Sequence, residues 1–165
     1  MSNESKINGF LKIVLKDYPP PRRCLDVGAR DGYMVKMMKK RGYGAVGIDV
    51  MPKNRSVMKD DILNNNLMKN GYDLVITRHC IEHCFNVRGF LSNSRDLLKD
   101  DGIFIMLFPL VQAMTYDYTK KCDNYEDEFI EETNGLFETR QFVISTKVGI
   151  DPLSKDEYLY VGVPC

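Results

Sequence analysis

A chain of 165 residues with 44% hydrophobic and 28% charged side chains is too apolar for a disordered protein and too short for two ordinary domains, so one compact domain is expected. Its 23 basic residues balance 23 acidic ones, which counts against binding of nucleic acid through counterion release over a broad basic face and favours a small or locally charged partner. No window of about eighteen apolar residues spans a membrane, and the opening MSNESKINGF lacks the basic-then-apolar order of a signal peptide, so a cytoplasmic protein without a membrane partner is expected.

In chain order, Ile7, Phe10, Leu11, Val14 and Leu15 recur at helical spacing behind the capping candidates Ser2 and Asn3 and stop before Pro19, Pro20 and Pro21, which predicts an amphipathic helix over 1–18. CLDVG and AVGIDV read as two strands, and YMVKMMKKRGYG between them as a helix with a glycine stop. Only about a dozen residues separate Asp49 from Asp61, less than a helical crossover needs. A missing or rudimentary helix is therefore expected there, with a short edge strand in SVMKD. DLVIT (73–77) and IFIMLFP (103–109) are continuous apolar runs, the pattern of strands buried on both faces of a parallel sheet. Phe90, Leu91, Leu97 and Leu98 suit a helix between them that ends near Asp101 and Gly102. An acidic helical stretch, NYEDEFIEETN, and two closing strands, QFVISTKVG and EYLYVGVP, complete the chain. The alternation predicts an α/β sandwich with a mostly parallel sheet.

Ligands of open α/β sheets bind beyond the carboxyl ends of the strands. After the first strand stands Asp26-Val27-Gly28-Ala29-Arg30-Asp31-Gly32, whose glycines permit a tight turn and close backbone approach. After the second stands Asp49, about twenty residues on, where a carboxylate accepts hydrogen bonds from the vicinal hydroxyls of a ribose or merely caps its loop. The dinucleotide fingerprint GxGxxG is absent, which counts against NAD.

LDVGARDG, GIDV, the aspartate of DDIL, YDLVITRHCIEHC and LLKDDGIFIMLFP resemble, in this order, the successive motifs of the class I S-adenosylmethionine-dependent methyltransferases. The segment His79-Cys80-Ile81-Glu82-His83 resembles the group of small-molecule methyltransferases with an HxxEH segment after strand four. The resemblance covers Cys24 to Pro109. It implies a Rossmann-like three-layer sandwich with a closing antiparallel hairpin, shortened between strands two and three. The single domain over 1–165 then divides into the N-terminal helix (1–18), a cofactor-binding core (24–109), an acceptor-site segment (110–135) and the hairpin (136–165).

The resemblance further implies S-adenosyl-L-methionine as cofactor, with Asp26, Gly28, Ala29, Arg30 and the Gly32 turn near its methionine end and Asp49 at its ribose. Val50 and Met51 would pack on the adenine, Asp61 and Ile62 would face its edge, and Thr77 and Arg78 would line the pocket beside the sulfonium. Arg30 stands where the family usually has a second glycine, and either binds the methionine carboxylate or points to solvent. The shortened region after Asp49 implies a thin adenine wall and modest affinity.

His79 and His83, the only histidines, share a face if their segment is helical. Either suits proton removal from an acceptor, with Glu82 as partner, or a structural role. His79, Cys80, His83 and Cys84 are also potential metal ligands, but on a helix the cysteines project about 100° from the preceding histidines, so no metal is expected. The five cysteines (Cys24, Cys80, Cys84, Cys122, Cys165) contain no CxxC pair and read as reduced thiols.

The expected reaction is in-line methyl transfer to a small-molecule acceptor. The alternatives are a catalytically silent cofactor-binding or partner subunit and, behind it, an RNA methyltransferase, which would need a basic ridge beside the mouth. Residues 110–135, with Tyr116, Tyr118 and Tyr125, are the candidate acceptor segment; selectivity could also come from a second subunit or a homo-oligomer. Charge is segregated along the chain. Lys36, Lys39, Lys40, Arg41, Lys53, Arg55 and Lys59 face only Asp49 within residues 36–59, whereas 123–132 hold six acids and no base.

Overall fold

The computed structural model describes residues 11, 12, 15–109, 133, 135–144 and 157–165. Most of the helix expected over 1–18, the acidic stretch and nearly all of the acceptor segment lie outside the described residues. Near the N-terminus Leu11 is fully buried and a single 3-10 turn spans Leu15–Asp17.

Among the described residues, seven strands form one sheet: β1 (Arg23–Val27), β2 (Gly44–Asp49), β3 (Met58–Lys59), β4 (Tyr72–Arg78), β5 (Leu98–Pro109), β6 (Phe137–Ile144) and β7 (Glu157–Pro164). Their spatial order is β3-β2-β1-β4-β5-β7-β6. β1 pairs in parallel with β2 from Arg23 opposite Gly44 to Val27 opposite Ile48, and with β4 from Cys24 opposite Leu74 to Val27 opposite Thr77. β7 runs opposite to the other six strands, inserted between β5 and β6 and pairing antiparallel with both, so that β6 and β7 make the closing hairpin. No helix among the described residues is long and apolar enough to cross a membrane.

Among the described residues, two helices of eight residues or more flank the sheet. Helix α1 (Tyr33–Lys40) buries Met34, Val35, Met37 and Met38 on the face that also holds Leu11, Leu15, Leu74, Ile76 and Ile105. It ends in a Schellman arrangement, with Gly42 at φ 88°, its N–H donating to Lys39 O and the Tyr43 N–H to Met38 O. Helix α2 (Val87–Leu97) is capped by Asn86, whose side chain accepts from the Gly89 N–H at 2.8 Å. It packs Phe90, Leu91 and Leu97 on the opposite face against Leu25, Val75, Phe104 and Tyr160. Each of these fully buried side chains contributes about 1.5–3 kcal/mol of hydrophobic stabilisation. A helix on either face of the sheet makes the three-layer sandwich.

No helix intervenes between β2 and β3, and only the 3-10 turn Ile62–Asn64 between β3 and β4, as the short interval requires. Three boundaries differ from the sequence reading. α2 stops at Leu97 rather than near Asp101, because Leu98 already pairs with Tyr72 across a register irregularity. β5 is lengthened accordingly, and β6 starts at Phe137, just after Gly135 in a left-handed conformation at φ 73°.

Gly47 is a constraint that the apolar pattern hides. A Cβ there would lie 2.6 Å from Ala29 Cβ and 2.7 Å from Val35 Cγ2, so β2 approaches the turn after β1 too closely for any side chain. Gly47→Ala is expected to cost about 1–3 kcal/mol through overpacking. Adding Ala29→Gly should restore part of that loss in chemical denaturation, and a double mutant no better than the single one would contradict this packing.

Candidate functional site

The turn after β1 is built from left-handed backbone at Gly28 (φ 80°), Arg30 (φ 43°) and Gly32 (φ 74°), which is why glycine occupies two of the three positions. The Gly28 and Ala29 N–H groups both donate to Ile48 O, at 2.9 and 3.0 Å, which fixes the turn to the end of β2. Asp49 completes the link: its Oδ2 accepts from the Arg30 N–H at 2.9 Å and its Oδ1 from the Met51 N–H at 2.7 Å. The Lys53 N–H donates to Arg30 O at 2.8 Å. Each Asp49 oxygen keeps a second acceptor direction.

A cavity of about 200 Å³ opens beside this junction. Val27, Gly28, Ile48, Asp49 and Val50 form its sheet side, Asp60 to Leu63 one wall, and Cys80, His83, Cys84 and Phe85 the other, with Phe90 of α2 also lining it. The carboxylate of Asp61 caps the 3-10 turn by accepting from the Leu63 N–H at 2.9 Å. Phe85 is 79% exposed and Val50 55%, so the mouth carries an unusual apolar rim.

Of the residues singled out from the sequence, Gly28, Asp49, Val50, Asp61, Ile62 and His83 line the cavity. Met51 is exposed and lies outside its lining. Ala29 is buried against Gly47. Arg30 is exposed, and Gly32 packs next to Ser56 and Val57. Thr77 is fully buried at the end of β4, its Oγ1 without a hydrogen-bond partner among the described residues. The close approach expected at Gly28 is made by the chain itself: a Cβ there would meet Cys80 Sγ at 2.7 Å.

Asp26 is 3% exposed at the sheet side of the turn. Burial pushes its carboxyl up to about 7; Asp31 and Asp49 push the same way, and the half-buried Arg78 opposes them.

The segment after β4 is not an α-helix. Ile81–His83 is one 3-10 turn, closed by the His83 N–H donating to Cys80 O and the Cys84 N–H to Ile81 O. His79 sits in left-handed backbone (φ 48°) with its N–H on Leu107 O. The shared helical face of the two histidines is therefore corrected: only His83 lines the cavity. The projection argument about the cysteines falls with it, since Cys80 and Cys84 both line the cavity beside His83; among the described residues, no three side chains are arranged to hold a metal. Burial raises the Cys84 thiol, which donates to Asn86 O at 3.5 Å. Glu82 contributes its backbone to the 3-10 turn. Val27, Ile48, Asp60, Leu63, Phe85 and Phe90 also line the cavity and were missed in the sequence reading, which weighed Cys80 and Cys84 only as metal ligands; a lone Phe85 in the polar HCFN loop was the available signal.

The chain matches a family model described as a methyltransferase domain over residues 4–144. The ubiquinone biosynthesis O-methyltransferase of Pelagibacter ubique is 28% identical over 97 residues, 51% of this chain; the match spans 40% of that protein's length. A TehB-like SAM-dependent methyltransferase from Corynebacterium glutamicum superposes with a TM-score of 0.74 at 15% identity, covering 95% of this chain and 88% of that one. The Burkholderia thailandensis 1,6-didemethyltoxoflavin-N1-methyltransferase, solved with 1,6-didemethyltoxoflavin and S-adenosylhomocysteine, gives a TM-score of 0.75 at 15% identity, covering 98% and 79%. The two structures speak for the fold, and the family model spans most of the sequence: the chain belongs to the methyltransferase-domain family.

Proposed function

We propose that the protein binds S-adenosylmethionine and transfers its methyl group to a small-molecule acceptor. The observation that carries this reading is the cavity itself, where Gly28 and Asp49 stand at the ends of adjacent strands beside an apolar slot of Ile48, Val50, Ile62, Phe85 and Phe90. Asp49 has acceptor directions left for two vicinal hydroxyls, and the slot suits a purine face. About 200 Å³ is below the roughly 300–1,000 Å³ of common ligand pockets, which accommodates a nucleoside but not an enclosed dinucleotide. When bound, the cofactor supplies an electrophilic methyl on a sulfonium.

Within that reading Asp61 and Ile62 border the base. Asp26, Ala29, Arg30, Gly32, Met51, Thr77 and Arg78 act from behind the lining, by shaping the turn and the end of β4. His83, exposed at the rim, is the proposed base that takes the acceptor's proton, and His79 and Glu82 hold its loop. The family relationship and the acceptors in the names of similar proteins support a small molecule.

Calorimetry with S-adenosylhomocysteine tests the binding, and saturable binding with no heat from NAD is expected; preference for NAD would overturn the reading. His83→Ala should leave that affinity within about threefold, as befits a group acting on the acceptor rather than on the cofactor. A larger loss would move His83 into the cofactor site.

A further inference from the structure

We propose that a second site, a basic groove on the side of α1, binds the phosphodiester backbone of single-stranded RNA. The groove arises because the β2–β3 connection has no helix. A crossover helix would lie beside α1; here a loop does so, leaving a concavity of about 500 Å³ lined by Lys36, Lys39, Lys40, Asn54 and Ser56. The loop is seated, not adrift. Asn54 Nδ2 donates to Asp31 O at 3.2 Å, its Oδ1 accepts from the Ser56 N–H at 2.9 Å, and Gly32 packs directly against Ser56 and Val57.

Lys36, Lys39 and Lys40 share one face of α1 by their spacing and are exposed. Lys53, Arg55 and Lys59 extend the positive charge along the loop and edge strand, also exposed. None of these six cations pairs with a carboxylate among the described residues, where the ion pairs include Arg22–Asp73, Lys99–Asp73, Lys69–Asp96 and Arg95–Asp100. The groove's own acid, Asp31, accepts from the Tyr33 N–H at 3.1 Å. Uncompensated cations held together repel one another, and an anionic occupant relieves that repulsion.

The chemistry of the lining favours phosphate over an acidic protein. Protein interfaces are depleted of lysine, whereas this groove, whose floor also includes the half-buried Tyr33 and the buried Val35, presents lysine ammonium groups, a serine hydroxyl and a side-chain amide, the donors that commonly contact phosphate oxygens. The exposed apolar side chains Val50 and Phe85 line the other cavity. The neutral whole-chain balance excludes a broad basic face but not this local stripe. The site lies one loop away from the first: the Lys53 N–H holds Arg30 O and the Arg30 N–H holds Asp49.

The test is fluorescence anisotropy with a labelled single-stranded RNA of about twenty nucleotides over a salt series, since affinity for single strands falls with a log–log slope of about −0.7 per phosphate contacted. Lys36→Gln/Lys39→Gln/Lys40→Gln is expected to weaken binding at least tenfold and to flatten the slope by about 2. A control changing the exposed Lys12, Lys16 and Lys69 to Gln should bind like the wild type, and thermal unfolding checks that both variants are folded. The proposal is overturned if the wild type shows no salt-dependent binding or if the two triple variants bind alike. It is equally overturned if polyglutamate of equal charge binds more tightly than the RNA, which would assign the groove to an acidic polypeptide.

Discussion

Asp26→Asn is expected to stabilise the protein by about 4 kcal/mol near pH 8 while changing its stability little near pH 4. The carboxyl is raised from its ordinary value of 3.8 to about 7, first by burial and then by Asp31 and Asp49, against the opposing charge of Arg78. For an acid raised in this way, both folded and unfolded chains hold the proton below the unfolded value, so folding incurs no electrostatic loss there. As pH rises from about 4 to about 7 the unfolded chain ionises freely and the folded one resists, so the stability contributed by the protonated group is lost, and the loss levels off above 7. Asparagine is neutral throughout and does not suffer it. Urea denaturation of both proteins across this window reads the difference directly, because carboxylates common to both cancel. Parallel curves would show that Asp26 titrates normally and that its burial is relieved by solvent or by Arg78.

Asp49→Ala should lower the affinity for S-adenosylhomocysteine by a hundredfold or more, for two reasons that act together. Two hydrogen bonds to a charged acceptor are lost at about 1.5–3 kcal/mol each, and every 1.4 kcal/mol is about tenfold in affinity. The substitution also releases the Arg30 and Met51 N–H groups, bound at 2.9 and 2.7 Å, so the turn after β1 loses its tie to β2. Asp49→Asn separates the two effects. Its one remaining carbonyl can keep a single N–H, and an intermediate affinity is expected. Calorimetry at fixed salt is the measurement; an affinity for Asp49→Ala within threefold of the wild type would remove Asp49 from the ribose role and leave it as a loop clamp.

The proposed groove bears on what such a small domain does with its charge. Along the chain, the seven cations of residues 36–59 show only that charge is segregated. The structure gathers Lys36, Lys39 and Lys40 of α1 with Asn54 and Ser56 of the β2–β3 loop around one concavity, and the gathering depends on a helix that is not there. A domain shortened between β2 and β3 keeps its three layers but lacks the helix that would lie beside α1, and the proposed groove stands in its place.

Much of the fold was legible because its signals are local. Continuous apolar runs mark strands buried on both faces, glycines mark the ends of α1 and the turn after β1, and chain length alone forbids a helix between Asp49 and Met58. The order of strand, helix and strand places Gly28 next to Asp49, since a parallel crossover of that length brings neighbouring strands together at their carboxyl ends. The pairing of β1 with β2 bears this out residue by residue.

Other features depend on contacts between distant segments, on which periodicity is silent. That Cys80 covers Gly28, that Gly47 has no room beside Ala29, and that β7 inserts between β5 and β6 are packing outcomes of residues far apart in the chain. HxxEH spacing suggested a helix, but left-handed backbone at His79 and a single 3-10 turn separate the two histidines, and only His83 reaches the cavity. The physical reason is range. Backbone periodicity and turn chemistry act over a few residues and specify which elements form and in what order. Which side chains share a cavity, which carboxyl is buried enough to hold its proton and which cations face one groove depend on excluded volume and electrostatics across the assembled sheet, which exist only once the chain has folded.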